Sequence, residues 1–168
     1  MKTKISIVLF FLVLILAGCN TTIDEEKEQT AQTVEDTFEN TEKNAKEEAG
    51  NLNFYLPFGA KIEKESENNV IISKGSDTFI LFTNPEEDQK SELLYNMAIS
   101  DEKNIVQNDS FKEDNRLGYY VINKLPDSEE YELIVGVGGT KLTTQSSLED
   151  LSDHAEMMME IANSVKQN

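Results

Sequence analysis

The residues suited to acid–base catalysis are few in this chain. His154 is the only histidine among 168 residues, so histidines cannot pair with each other or share a metal ion. It follows Asp150 by four residues, and a catalytic dyad would also need a nucleophile nearby, which the sequence does not place. The pattern therefore favours an ordinary histidine on the flank of a helix.

Two groups of carboxylates are dense enough to be considered for a cation: Asp109, Glu113 and Asp114, and Glu149, Asp150 and Asp153. Neither group has the Asp-x-Asp-x-Asp-Gly spacing of a calcium loop. A solvated acidic face is the simpler interpretation, and weak calcium binding outside the cell is the alternative. We expect no resident metal and no cofactor.

The segment Gly136-Val137-Gly138-Gly139 is the next candidate. A dinucleotide loop would need glycine in place of Lys141 and a helix after it, and a P-loop would need Gly-Lys-Ser/Thr, so neither pattern is met. In a strand, Gly136 and Gly138 would share one face and leave a shallow groove. We favour close packing of the C-terminal helix against this groove, with ligand binding at Gly136 and Gly138 as the alternative.

The only thiol of the chain, that of Cys19, ends a distinctive N-terminal segment. Lys2 and Lys4 come first, then 13 mostly apolar residues (5–17), then small residues. This order is typical of a secretory signal peptide. The apolar run is also shorter than the roughly 20 residues that cross a bilayer as a helix. The sequence therefore predicts export.

The closing residues Leu16-Ala17-Gly18-Cys19 resemble the lipobox of bacterial lipoproteins. In that family a diacylglyceryl group is attached to the cysteine sulfur, and a peptidase then cuts just before it. The resemblance implies a signal peptide over residues 1–18, cleavage between Gly18 and Cys19, and a palmitate-type lipid on Cys19. Because two or more acyl chains anchor stably, it also implies attachment to the extracytoplasmic face of the cell membrane.

The composition of the chain indicates its source, and its net charge argues against some classes of partner. The abundance of Asn, Lys and Glu suggests a low-GC Gram-positive bacterium. The net charge is −17, which argues against nucleic acid as a partner, because phosphate binding needs a basic surface. It equally argues against electrostatic adhesion to anionic lipid.

Residues 19–50 are predicted to be a lipidated N-terminus and an acidic, flexible tether. Residues 20–50 hold ten acidic residues against three lysines, and only Val34 and Phe38 suggest an apolar face. Such composition does not offset the entropy of ordering, so we expect no stable packing. A flexible coil of this length would reach roughly 30 Å.

Residues 51–168 are predicted to form one α+β domain, and its strands can be placed from their β-rich runs. Phe54–Leu56 is a short candidate, and Val70–Lys74 and Thr78–Thr83 form a hairpin around 75–77. Leu117–Asn123 and Tyr131–Thr144 lie on either side of a turn at Pro126 and Asp127. Leu93–Ile99 is ambiguous between helix and strand, and we favour a strand.

The C-terminal segment predicts a helix. Ser147 and Asp150 resemble a capping pair, and an apolar stripe with helical spacing follows. Its members are Leu148, Leu151, Ala155, Met158, Ala162 and Val165, widened by Met159 and Ile161. The run Met157-Met158-Met159 is expected to turn at most two side chains to the core. Together these elements predict an antiparallel sheet of about five or six strands covered by this helix.

The order of elements also resembles PsbP/DcrB-like domains. The resemblance lies in Phe54-Tyr55-Leu56-Pro57-Phe58-Gly59, followed by hairpin strands and a final helix. An aromatic residue often follows that glycine in the family, whereas this chain has Ala60. Members of the group are mostly accessory or binding modules, so the resemblance implies such a role.

Two functions are compatible with these observations. The first is a non-enzymatic, lipid-anchored accessory protein that contacts another protein of the bacterial envelope. The second is a small-ligand or peptide-binding module with a pocket between the sheet and the C-terminal helix, suggested by the glycines and by Tyr55, Phe58, Tyr119, Tyr120 and Tyr131. An enzyme would have to use carboxylates or hydroxyls alone, and their spacing singles out no pair.

Overall fold

The computed structural model describes residues 22–41, 43–100 and 102–167. The predicted signal peptide, its cleavage after Gly18 and the lipid site at Cys19 lie outside the described residues.

A seven-stranded antiparallel sheet forms the body of the protein, in the order β3-β4-β5-β9-β8-β7-β6. Its strands are β3 (Ala60–Glu65), β4 (Asn69–Lys74), β5 (Asp77–Thr83), β6 (Ile105–Glu113), β7 (Arg116–Lys124), β8 (Tyr131–Val137) and β9 (Thr140–Ser146). The α+β class and the antiparallel sheet are thus confirmed, with one or two strands more than expected. The predicted β4–β5 hairpin turns at Gly75, whose φ of +62° suits glycine.

One predicted strand is in fact two. Tyr131–Thr144 was expected to continue through its glycines, but β8 ends at Val137 and β9 begins at Thr140. Gly138 has φ +52° and forms the hairpin turn between them with Gly139. A two-residue turn of this kind needs positive φ, which glycine adopts without strain. The Gly-Gly pair therefore ends the strand instead of extending it.

A smaller three-stranded sheet lies beside the main one, in the order β1-β2-β10. It comprises β1 (Glu47–Ala49), β2 (Leu52–Phe54) and β10 (Lys166–Gln167). The strand predicted at Phe54–Leu56 therefore ends at Phe54, because Pro57 and the turn at Gly59 follow. Leu52 and Phe54 are almost fully buried in the main core.

The C-terminal helix is confirmed as α3 (Leu151–Ser164). The helix packs on β8 and β9. The residues of its predicted stripe that lie within it are all buried: Leu151, Ala155, Met158, Met159, Ile161 and Ala162. All three methionines 157–159 are buried, which corrects the expectation of at most two. The reason is that α3 is covered on other sides as well, by another helix and by the segment of Tyr55 and Pro57 next to Met157.

That helix is α1 (Ile23–Asn40), and it corrects the prediction of a disordered tether across residues 20–50. Thr22 and Glu25 form a reciprocal capping box at its start. Val34 and Phe38 are buried in the main core, so the helix is packed and not merely formed. The remaining buried positions are polar, namely Glu26, Thr30 and Thr37.

Polar contacts align α1 with α3. The Asn163 side chain on α3 donates hydrogen bonds to the backbone oxygens of Thr37 and Phe38, at 3.1 and 3.2 Å. In the middle of α1, Thr33 shares a hydroxyl–hydroxyl hydrogen bond of 3.0 Å with Ser152. Glu26, in the first turn of α1, accepts a hydrogen bond from the Ser152 amide in the first turn of α3, so the two helices run in the same direction.

On the opposite face of the sheet lies a short helix, α2 (Leu93–Ala98), where a strand was favoured for Leu93–Ile99. Leu94 is buried on a second, smaller core with Leu117, Tyr119, Val121 and Ile134. The Ser91 hydroxyl accepts a hydrogen bond from the Leu93 amide, which favours a helical start. Only one side chain of α2 is buried, so much of this face stays open.

Candidate functional site

His154, the only histidine, lies at the junction of α3 with β5 and β9. Its Nδ1 is 2.9 Å from the Ser146 hydroxyl, and its Nε2 is 3.6 Å from an oxygen of Asp77. The ring also meets Phe79 edge-on, with centroids 5.2 Å apart. The structure therefore supplies the serine that the sequence could not place.

This serine is not positioned as a nucleophile. Ser146 is 2% exposed, so a substrate carbonyl has no path to its oxygen. Its hydroxyl donates to the carbonyl oxygen of Ser147 at 3.0 Å, and it has only one hydrogen to give. A hydroxyl that donates to Ser147 has no hydrogen left to give to His154 Nδ1, as a serine–histidine base pair would require. The arrangement joins three elements of the fold.

Three of the six carboxylates in the two acidic groups make local contacts. Asp109 accepts a hydrogen bond from the Ser110 amide, and Glu113 pairs with Arg116 at 3.3 Å. Asp150 accepts the Ser147 hydroxyl at 2.6 Å, but the predicted capping pair is not formed, because α3 begins at Leu151 and its N-cap residue Asp150 makes no capping hydrogen bond. In the part of the chain that the structure describes, no three histidine, cysteine or acidic side chains converge on a cation position.

The two glycines proposed as a ligand groove face away from α3. A Cβ at Gly136 would collide with the Tyr119 ring and the Thr140 carbonyl, and one at Gly138 with the backbone of Asp88 and Gln89. The groove over them is thus filled by an aromatic ring and a loop, and not by the C-terminal helix as we favoured. The Tyr119 hydroxyl donates to the Thr140 carbonyl at 3.1 Å, and burial raises its pKa.

The region between the sheet and α3 is filled by side chains. Leu133 and Val135 from β8 and Leu151, Ala155 and Met158 from α3 are all 0% exposed. The aromatic residues do not line a common pocket there either, because Tyr119 and Tyr120 belong to the cores on opposite faces of the sheet. At the edge of this layer, where the β8–β9 hairpin meets the end of α3, a pocket of about 320 Å³ is lined by Val137, Thr140, Ala162 and Val165, with residues 87–89 on its other side.

The open surface lies on the other side of the sheet, beside α2. An apolar groove of about 540 Å³ is lined by residues of β5, β8, β9 and α2, including Ile80, Phe82, Leu94, Met97 and Ile134. Ile80 is 45% exposed and Met97 61%, which is unusual for large apolar side chains that lie together. We call this surface the open-face groove.

A polar depression of about 440 Å³ continues the open-face groove at Ile80, Glu132 and Thr143. Its wall includes the carboxylates of Asp77, Glu130 and Glu132. The Asn123 amide donates to Glu132 at 2.9 Å. At the apolar end, Lys141 lies over the Phe82 ring, 6.0 Å from its centroid. We call the polar part the acidic end of the groove.

The residues of the open-face groove were not singled out from the sequence, although β5 held a signal. In the run Phe79-Ile80-Leu81-Phe82, apolar residues do not alternate with polar ones. Phe79 and Leu81 are buried under the helices, so Ile80 and Phe82 must face the other side. A run without alternation indicates a strand with something apolar on both faces.

No helix within residues 22–41, 43–100 and 102–167 is both long and apolar enough to cross a membrane.

Comparison with protein-family models gives no match, and comparison with curated proteins gives none either. Among solved structures, the chain is similar to the solution structure of cyanobacterial PsbP (CyanoP) from Synechocystis sp. PCC 6803, with a TM-score of 0.40 and 13% identity. The similarity covers 70% of this chain and 87% of that chain. This is the group that residues 54–59 resemble, but at this TM-score the likeness assigns neither fold nor function.

Proposed function

We propose that this chain is a lipid-anchored, non-enzymatic accessory protein of the bacterial cell envelope that binds another envelope protein through its open-face groove. The observation that carries the proposal is the apolar groove in which the exposed side chains of Ile80 and Met97 lie beside the partly exposed Phe82. Exposed apolar surface of this kind is retained where a partner covers it. The lipid anchor is supported by the lipobox of residues 16–19.

The accessory role also draws on how the reactive side chains are used. His154 and Ser146 are tied into the joint between α3 and the sheet, and the carboxylates of Glu113 and Asp150 take part in local contacts. A surface that binds a macromolecule needs none of these groups. It needs apolar area with a polar rim, which the open-face groove and its acidic end provide.

The binding part of the proposal can be tested by photo-crosslinking in cells. A benzophenone amino acid is placed at Met97 in the groove or, as the control, at Glu65 on the edge strand β3, which is also exposed. We expect one partner protein to be captured from Met97 and not from Glu65. Equal capture from both positions, or capture of nothing at Met97, would contradict binding through the groove.

The anchor is tested separately with Cys19→Ala. We expect wild-type protein to incorporate an alkyne-labelled fatty acid and to sediment with membranes, and the variant to do neither. A labelled variant would show that the lipid is elsewhere. An unlabelled wild-type chain would contradict the lipid anchor. It would not affect the crosslinking test of binding through the groove.

A further inference from the structure

We infer that the open-face groove binds a partner helix that is apolar on one side and basic on its flank. This inference rests on the proposed function, because it names the chemistry of the partner that the groove would take. Three observations support it. They are the shape of the apolar surface, the hydrogen bonding of the strands beneath it, and the carboxylates at one end that have no lysine or arginine partner.

The apolar part of the groove has two walls. Ile80 and Phe82 lie two residues apart on β5 and point to the same face, while Leu94 and Met97 lie three apart on α2 and line the other side. Ile134 on β8 is 6% exposed and forms part of the floor. A groove between a helix and a sheet face suits a ridge of apolar side chains one helical turn apart.

The strands beneath the groove are already hydrogen-bonded to a neighbouring strand on each side. β5 pairs with β4 and β9, and β8 pairs with β7 and β9, so these strands have hydrogen-bonded neighbours on both sides. An extended peptide cannot add to such strands, since strand addition needs a free edge. A segment on this face must satisfy its own backbone groups, and a helix does so. We therefore assign the groove to a helix.

The acidic end sets the charge of the partner. Within the described residues, no lysine or arginine nitrogen lies within 4.0 Å of Glu130 or Glu132, and Asp77 pairs only with His154 at 3.6 Å. Carboxylates beside an apolar surface attract a cation from a partner, and the net charge of −17 steers a basic partner towards the molecule. An acidic partner would be repelled on both counts.

The test uses residues 20–168, which contain every helix and strand described, after circular dichroism and a urea transition have shown the fold. The probes are three synthetic peptides. The first is an amphipathic helix of leucine and lysine, the second has the same pattern with glutamate for lysine, and the third has the composition of the first in scrambled order. Binding is measured by isothermal titration calorimetry at low and moderate salt. We expect the first peptide to bind and the other two to bind at least about tenfold more weakly.

Variants locate the binding. Ile80→Ser combined with Met97→Ser should weaken the first peptide by about tenfold, since each removes exposed apolar area from the groove. Phe58→Ser is the matched control, because Phe58 is 99% exposed and lies on a different surface. Glu130→Gln with Glu132→Gln should weaken binding at low salt and flatten its salt dependence, whereas Glu65→Gln with Glu67→Gln should not.

Three results would overturn the inference: no binding of the first peptide, equal binding of the scrambled or acidic peptide, or an equal loss in Phe58→Ser. None of them contradicts the proposed function, because the photo-crosslinked partner could still be captured at Met97 with different chemistry. Conversely, peptide binding without any captured partner in cells would leave the groove chemistry intact and contradict the proposed role.

Discussion

Glu26 caps a helix that begins 125 residues later in the chain. Its Oε1 accepts a hydrogen bond of 3.0 Å from the backbone amide of Ser152 in the first turn of α3. Asp150, the N-cap residue of α3, makes no capping hydrogen bond of its own. The orphan amide of α3 is therefore satisfied from α1, and Glu26 is only 4% exposed as a result.

Replacing this carboxylate should destabilise the protein. We expect Glu26→Ala to lower the free energy of unfolding by about 1–2 kcal/mol, since a buried amide loses its acceptor. Glu26→Gln keeps an acceptor oxygen and should cost less. Urea denaturation of residues 20–168 measures both, and Glu28→Ala, on the exposed side of α1, is the control. A change at Glu26 no larger than at Glu28 would show that α1 does not support α3.

Mutation of a second position on α1 should raise the stability of the protein instead of lowering it. Thr30 is 0% exposed, and its hydroxyl has no hydrogen-bond partner among the described residues. Thr30→Val keeps the shape and removes an unsatisfied polar atom, so we expect stability to rise by about 1 kcal/mol. Thr33→Val is the matched comparison, because the Thr33 hydroxyl bonds to Ser152. It should lower stability, and the same sign at both positions would contradict the assigned contacts.

Because residues 93–98 are helical, mutations of Leu94 and Met97 should affect stability to different extents. Leu94 is 5% exposed and Met97 is 61% exposed. Leu94→Ala should cost about 2–3 kcal/mol through the cavity it leaves, whereas Met97→Ala should change stability by less than about 0.5 kcal/mol. Thermal or urea unfolding distinguishes them. Similar losses at both positions would mean that α2 is not packed in this orientation.

The buried phenol of Tyr119 predicts a dependence on alkaline pH. Burial raises the pKa of Tyr119 in the folded state above its ordinary value of 10.0. A raised folded-state pKa stabilises the protein fully below the unfolded-state value, and this stabilisation is lost as pH rises from about 10 towards the folded-state value. Wild-type stability should therefore fall more steeply above pH 10 than that of Tyr119→Phe.

The same pair of proteins supplies the control at neutral pH. There, Tyr119→Phe should be less stable by about 1 kcal/mol, because it lacks the hydrogen bond to the Thr140 carbonyl. The difference should shrink between pH 10 and 11 in urea titrations. Parallel curves over that range would show that the phenol ionises without unfolding.

Strands and the last helix could be predicted because their patterns are local. Gly75 between two β-rich runs predicts the β4–β5 hairpin, and the spacing of Leu151, Ala155 and Met158 predicts α3. Both hold in the structure. The β8–β9 turn was missed because Gly138 and Gly139 fit either a strand or a turn until their φ values are known.

The helix α1 could not be recognised by counting apolar residues. Three of its buried positions are Glu26, Thr30 and Thr37, which only the finished fold explains. Burial of Glu26 depends on the Ser152 amide, which sequence spacing cannot bring near. A local signal did exist, since Thr22 and Glu25 have capping-box spacing. The sequence likewise indicated the open-face groove only in part. Its one signal was that apolar and polar residues do not alternate around Ile80 and Phe82.

The ordering of α1 changes how far the domain can stand from the membrane. With the lipid on Cys19, as proposed, only Asn20 and Thr21 separate it from the N-cap Thr22. Three peptide links span at most about 11 Å when extended, a third of the distance that a coil of the whole 20–50 segment would allow. If Cys19 carries the lipid, the domain would therefore stay within about 11 Å of the lipid headgroups.

A link this short would also orient the domain relative to the membrane. The start of α1 lies beside the start of α3, where His154 contacts Asp77 at the acidic end of the groove. That end would face the headgroups, and the apolar end would face outward. A partner helix would then have to present its basic residues next to the bilayer, so that partners already held in the same membrane would meet the groove at high effective concentration.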